Sequence, residues 1–175
     1  MDERNIVLLG FMGTGKSTAA RRVAQRLGRV MVDMDAVIEE RAGKTITAIF
    51  AEEGEPHFRR LERALVRELA RQSGLVIAAG GGVVLNPLNL RDFARRGLVV
   101  CLTARPAVIL RRVGAARHRP LLEGDAKARK ILDLLAARRK LYKRLPHRID
   151  TSRLTPAAVA RRILDLYAAS AEPPP

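Results

Sequence analysis

Apolar residues fall along the chain in two alternating rhythms: short runs that are hydrophobic throughout, and longer segments where they return every third or fourth residue. The short runs predict five strands, at Asn5–Gly10, Val30–Asp33, Leu75–Ala79, Leu98–Leu102 and, more weakly, His147–Asp150. Most are apolar on both of their alternating sets of side chains, as a sheet covered by helices on both faces requires. The longer segments predict helices over Lys16–Leu27, Ala36–Arg41, Ile46–Glu53, Pro56–Gln72, Pro87–Arg96, Pro106–Val113, Lys127–Lys143 and Pro156–Ala169. In the first of these, Ala20, Val23, Ala24 and Leu27 keep helical spacing, and Gly28 stands where a left-handed C-cap belongs. Strands alternating with helices define an α/β fold with a mainly parallel sheet. Gly114–Ala126 holds two glycines, one proline and several charges and predicts a loop free to move over a site. The tail, residues 170–175, is expected to fray.

Composition narrows this picture. A chain of 175 residues with 47% hydrophobic content can build one domain without metals or disulfides. The lone cysteine, Cys101, lies inside an apolar run and is expected to pack as a small hydrophobe, which suits a reducing compartment. The charged opening Met1–Arg4 and the short run Ile6–Leu9 make neither a secretory core nor a membrane span, so a cytoplasmic location and no membrane partner are expected.

Net charge is +15, which raises the question of nucleic acid. The surplus is spread over six arginine doublets, beginning at Arg21, Arg59, Arg95, Arg111, Arg138 and Arg161, and does not gather into one block. Aromatic residues make up only 3%, so stacking platforms are scarce. Solvated helix faces and a cleft suited to polyphosphate account for this pattern, with no specific nucleic-acid partner.

The first candidate chemistry is Gly10-Phe11-Met12-Gly13-Thr14-Gly15-Lys16-Ser17, which fits G-x-x-x-x-G-K-[ST] between an apolar strand and an amphipathic helix. The glycines let successive amide N–H groups turn towards phosphate oxygens, and the helix N-terminus adds partial positive charge. Lys16 supplies a cation for the β- and γ-phosphates, and the Ser17 hydroxyl is the expected Mg²⁺ ligand.

Five further clusters bear on what receives the phosphate. Asp33 and Asp35 stand at i and i+2 at the end of the second strand, expected on one side of an extended backbone. One could help hold hydrated Mg²⁺ and the other accept a hydrogen bond or proton from an attacking hydroxyl; the alternative is that both cap the helix near Ala36. Asp33 is the better metal partner for Ser17, because Ala78 and Ala79 occupy the strand end where an acid often stands. Arg59 and Glu62 are one helical turn apart and can pair, fixing a guanidinium suited to a carboxylate ligand, with Arg60 a solvated neighbour. Gly80-Gly81-Gly82 follows the third strand and either opens the backbone to a ligand or forms a flexible turn. From the mobile segment, Arg119 is chosen as the residue reaching a γ-phosphate, while spacing leaves Arg138, Arg139, Lys140 and Lys143 undecided between a site and a wet basic face.

Taken in order, Gly10–Ser17, Asp33 with Asp35, Gly54-Glu55-x-x-Phe58-Arg59-x-x-Glu62, Gly80-Gly81-Gly82, Arg119-Pro120-Leu121 and Arg138-x-x-x-Tyr142 resemble the shikimate kinase family, within the nucleoside-monophosphate-kinase-like enzymes. The resemblance spans nearly the whole chain. It implies a P-loop three-layer α/β/α fold with a five-stranded parallel sheet in 2-3-1-4-5 order, a substrate-binding subdomain around 36–63 and a mobile lid around 114–125. It implies transfer of the ATP γ-phosphoryl group, with Mg²⁺, to the 3-hydroxyl of shikimate by a monomer. ATP would be held by Gly13, Thr14, Gly15, Lys16, Ser17 and Thr18, with Arg112 and Pro156 flanking adenine. Asp35 would orient or deprotonate the hydroxyl, Arg59 and Arg138 would grip the carboxylate, Gly80, Gly81 and Gly82 would line the substrate, and Lys16 and Arg119 would meet the transferring phosphate. Two departures stand out: Leu154, with Arg153 beside it, where relatives often carry a basic residue, and Ala78-Ala79 where a hydroxylated residue is more usual. A sugar-acid kinase of the gluconate type is the same-fold alternative, disfavoured by the glycine run and the Phe58-Arg59 cluster. A basic ATP-binding module acting on nucleic acid is the alternative from another class.

Overall fold

In the computed structural model, which describes residues 3–114 and 125–170, the five apolar runs assemble into one parallel sheet. Its strands are β1 (Asn5–Gly10), β2 (Met31–Asp33), β3 (Val76–Ala78), β4 (Gly97–Thr103) and β5 (His147–Asp150), in the order β2-β3-β1-β4-β5. Leu8 of β1 pairs with Ala78, the last residue of β3, and with Val100 of β4, and β1 and β4 run on together to Gly10 and Leu102 at the carboxyl edge.

The helices are α1 (Lys16–Leu27), α2 (Met34–Ala42), α3 (Ile46–Glu52), α4 (Gly54–Leu69), α5 (Pro87–Ala94), α6 (Pro106–Gly114), α7 (Asp125–Lys143) and α8 (Pro156–Ala169), with a short 3₁₀ turn at Val83–Leu85. The two-residue period of the strands divides the apolar residues between two cores. Ile6, Leu8, Val76, Ala78, Val100 and Leu102 pack under α1 and α8, against Ala20, Val23, Val159 and Ile163. Val7, Leu9, Ile77, Ala79, Val99 and Cys101 face the other way, towards Met34, Leu65, Phe93, Ile109 and Tyr142. Cys101 is fully buried and its thiol is pushed up to about 11, chiefly by burial, so it packs as an inert apolar group.

Several boundaries differ from expectation, each for a local reason. Helix α2 starts at Met34 and not Ala36, because the Asp33 side chain caps it by accepting the Asp35 amide at 3.2 Å. Asp35 is therefore on the first turn of a helix, and the expected shared extended backbone with Asp33 does not exist. Helix α4 begins at Gly54, whose φ of 80° turns the chain out of α3, and regular helix ends at Leu69; Arg71 and Gln72 close with three-residue bonds to Glu68 and Leu69. Helix α5 stops at Ala94 because the Arg96 carbonyl already serves β1, accepting the Asn5 amide at 3.1 Å. Asp125 and Ala126, expected in a loop, belong to α7, and Gly114 closes α6. Strand β2 begins at Met31; β3 loses Leu75 and Ala79 by name, although both keep backbone bonds to β1. No helix of the described residues is long and apolar enough to cross a membrane.

The arginine doublets divide in an informative way. In three, both members are exposed; in Arg59–Arg60, Arg111–Arg112 and Arg138–Arg139, one member is half-buried and turned towards the sheet edge while its neighbour is exposed.

Candidate active site

At the carboxyl edge β1 ends in a loop whose glycines are each required for a different reason. Gly10 has φ 138°, and a Cβ there would run into the Leu102 carbonyl of β4. A Cβ on Gly13 would lie 2.8 Å from a Val113 methyl, so the loop packs directly on α6. Gly15 caps α1 in a left-handed conformation. Thr14 is buried, with its hydroxyl donating to the Phe11 carbonyl at 2.7 Å, while Thr18 is exposed on the first turn of α1. The Lys16 ammonium donates to the Gly10 and Phe11 carbonyls at 2.9 and 3.0 Å, which holds its charge over the loop. Ser17 donates to Asp33 Oδ2 at 2.7 Å. One carboxylate thus caps α2 with one oxygen, as the capping alternative expected, and binds Ser17 with the other.

A second anchor ties the loop to the far strands. The Arg112 guanidinium donates to the Gly13 carbonyl at 3.2 Å, to the Thr151 hydroxyl at 2.9 Å and to the Thr151 carbonyl at 2.8 Å. Buried Thr151 places its own hydroxyl 3.0 Å from the Thr14 carbonyl and 3.1 Å from that of Thr103. Pro156 lies exposed at the start of α8, beyond the loop that Thr151 opens. Leu154 packs against the core under α1 and α8 while Arg153 is exposed.

The glycine run is the hinge of the site. None of Gly80, Gly81 and Gly82 has positive φ, so conformational freedom does not explain them. Space does. A Cβ on Gly80 would sit 2.8 Å from Asp35 Oδ1, one on Gly81 would sit 3.5 Å from an Arg138 terminal nitrogen, and one on Gly82 would overlap the Arg59 guanidinium. At Gly80 and Gly82 the missing side chain is the room taken by Asp35 and by Arg59, while at Gly81 a Cβ would only touch Arg138 at ordinary contact distance. Gly81 also lies against the Gly10 carbonyl that Lys16 engages, with its imagined Cβ 3.5 Å away, so the run joins the phosphate loop to a charged pocket.

Within that pocket Arg59 is gripped from two sides. Its Nε and Nη2 donate to Glu55 at 3.1 and 2.8 Å, and Nη1 donates to Glu62 at 3.0 Å. A guanidinium has five N–H donors, so one on each terminal nitrogen is left over by this clamp. Glu62 is only 2% exposed, and burial pushes its carboxyl up against the pull of Arg59. Arg138 lies over the Phe11 ring at 5.9 Å, which leaves its polar edge for the pocket. Tyr142, one turn on, donates to the Gly81 carbonyl at 2.8 Å; burial pushes its phenol up to about 12, so it remains a donor throughout the working pH range.

The structure therefore brings together the phosphate loop, Asp33, Asp35, Arg59, Gly80–Gly82 and Arg138, and it separates Arg138 from the exposed Arg139, Lys140 and Lys143. Arg119, with Arg117 and His118, lies outside the described residues. Sequence reasoning did not find Thr151, Phe11 as the floor under Arg138, or Glu55 as the second clamp on Arg59. Only Glu55 left a readable signal, four residues before Arg59 on a helix. Because Gly82 is spaced for Arg59, Gly82→Ala should displace that guanidinium and raise the KM of a carboxylate acceptor about tenfold, with kcat and circular dichroism little changed. Steady-state kinetics on the purified variant check this.

No group of three or more potential metal-binding acids, histidines or cysteines occurs among the described residues. The Ser17 hydroxyl and the Asp33 carboxylate, 2.7 Å apart beside the phosphate loop, are oxygen donors of the type a hydrated Mg²⁺ takes, one or two from protein with waters completing the shell.

A glycine-rich phosphate loop at the switch edge of a 2-3-1-4-5 sheet, opening onto a charged pocket, defines a P-loop kinase of a small molecule. The chain belongs to the shikimate kinase family: the family model described as Shikimate kinase matches residues 12–168. It is 44% identical to the shikimate kinase of Thermoanaerobacter pseudethanolicus over 94% of this chain and 96% of that one. It is 47% identical to the shikimate kinase of Pelotomaculum thermopropionicum over 87% and 88%. A solved structure of shikimate kinase from Acinetobacter baumannii in complex with shikimate superposes with a TM-score of 0.87 at 37% identity, covering 96% of this chain and 94% of that one.

Proposed function

We propose that this chain transfers the γ-phosphoryl group of ATP to the 3-hydroxyl of shikimate, giving shikimate 3-phosphate and ADP, at the cleft where the phosphate loop meets the glycine-lined pocket. The observation that carries this reading is the glycine run, which gives room to Asp35 at Gly80 and to Arg59 at Gly82 and lies against Arg138 at Gly81, next to the loop. A cyclic acid bearing hydroxyls needs that set: two guanidinium groups for the carboxylate and one carboxylate for an alcohol.

Gly13, Thr14, Gly15, Lys16, Ser17 and Thr18 hold the triphosphate, with Arg112 and Pro156 at the base. Arg59 and Arg138 grip the carboxylate of the acid, and Gly80–Gly82 line its ring. Asp35 accepts the hydrogen bond of the attacking hydroxyl and takes its proton as the oxygen bonds to the γ-phosphorus. The bond from that phosphorus to the bridging oxygen of ADP breaks in line. Lys16, and Arg119 from a lid around 114–125, neutralise charge on the transferring group. Ser17 and Asp33 would hold Mg²⁺, which supplies further charge neutralisation to the phosphates. Residues 36–63 form the acceptor-binding part of one kinase domain, working as a cytoplasmic monomer, with no role for membrane or specific nucleic acid.

Coupled ADP formation with shikimate, with gluconate and with RNA tests this. Turnover should depend on shikimate alone; stimulation by gluconate or by RNA at moderate salt would favour the other readings. Arg138→Ala should raise the shikimate KM by about ten- to a hundredfold, the range of 1.5–3 kcal/mol for a hydrogen bond to a charged group, with a smaller change in kcat. Unchanged shikimate kinetics would remove Arg138 from the carboxylate site.

A further inference from the structure

Behind the phosphate loop lies a second cavity, of about 770 Å³, between α6, α7 and the ends of β4 and β5. That volume is in the range of small-molecule sites. Lys16, Ser17, Asp35, Arg59 and Arg138 do not line it; Phe11 and Thr14 border it from the loop side. Its interior is mainly apolar, built from Phe11, Ile109, Leu135, Ala136 and Tyr142, and Leu132 of α7 remains 37% exposed at its wall. The charged rim is mainly cationic: Arg105, Arg139, Lys143 and Arg148 stand against one acid, Asp150. None of the four cations makes an ion pair among the described residues. Asp150 is occupied locally, accepting from the Ser152 amide at 2.8 Å and hydroxyl at 2.5 Å.

We propose that this cavity is a binding site, separate from those for ATP and the acid acceptor, for a small amphipathic anion: an apolar body with one acidic group. The apolar body would enter against Leu135 and Ala136, and the acid would meet the cationic rim. Its position gives the site a lever. Phe11 lies under Arg138 at 5.9 Å and Tyr142 holds the Gly81 carbonyl, and both side chains line the cavity, so an occupant would touch two groups that also shape the acceptor pocket. Binding itself does not depend on the proposed reaction, since it is measured without turnover.

The test uses the full chain and 8-anilinonaphthalene-1-sulfonate, an aromatic sulfonate of the required chemistry, followed by its fluorescence. Saturable binding of one probe per chain is expected, persisting with saturating ADP and shikimate present. Ala136→Trp, which fills the cavity and keeps every charge, should abolish it. Arg139→Gln with Lys143→Gln, two exposed changes that spare the interior, should weaken it about tenfold. Both variants should retain shikimate-dependent turnover, which shows that they fold. Equal fluorescence in wild type and Ala136→Trp, or displacement of the probe by ADP, would overturn the proposal.

Discussion

Lys16→Ala should lower kcat for shikimate phosphorylation by about a thousandfold, the upper range for losing one preorganised charge donor at a transition state. The ammonium now donates to the Gly10 and Phe11 carbonyls, at the mouth of the phosphate loop. Phosphoryl transfer asks the protein for alignment and charge neutralisation, and removing the loop's own cation takes away part of both. The loop should survive the change, because its shape is set by Gly10, Gly13 and Gly15 and by the bonds from Thr14, Arg112 and Thr151. Steady-state assays together with a thermal melt check both halves: activity lost, Tm nearly unchanged.

Asp35→Asn should reduce kcat by about two to four orders of magnitude, the span of general-base contributions, while the shikimate KM moves far less. The replacement keeps shape and the cap on α2, since the bond to Asp33 comes from the Asp35 backbone amide. What it removes is the acceptor of the hydroxyl proton. A large rise in KM with kcat unaltered would instead make Asp35 a binding residue only.

Much of this was legible in the sequence because the signals are local. The strand order followed from the family resemblance, and apolar runs alone marked β1 and β5 to the residue. The phosphate loop was readable because its glycines, lysine and serine act within one short segment. Asp35 was harder. Its neighbour Asp33 caps the helix, so two acids that appear equivalent in sequence face different partners, Ser17 and Gly80. Spacing left Arg138 undecided among four basic residues and only the family resemblance picked it, because its surroundings, the Phe11 ring and Gly81, are remote in sequence. Thr151 gave no signal at all, since a threonine joining two carbonyls and an arginine is defined by where three segments meet. The glycine run read as backbone open to a ligand or as a flexible turn, and only the fold shows that Asp35 and Arg59 take the room at Gly80 and Gly82.

The most direct test follows the phosphorus atom itself. After incubation of the chain with MgATP and shikimate, phosphorus NMR should show a new monoester resonance coupled to the ring proton on carbon 3, growing in step with ADP. Inorganic phosphate appearing at the same rate with and without shikimate, and no such coupled signal, would contradict the account.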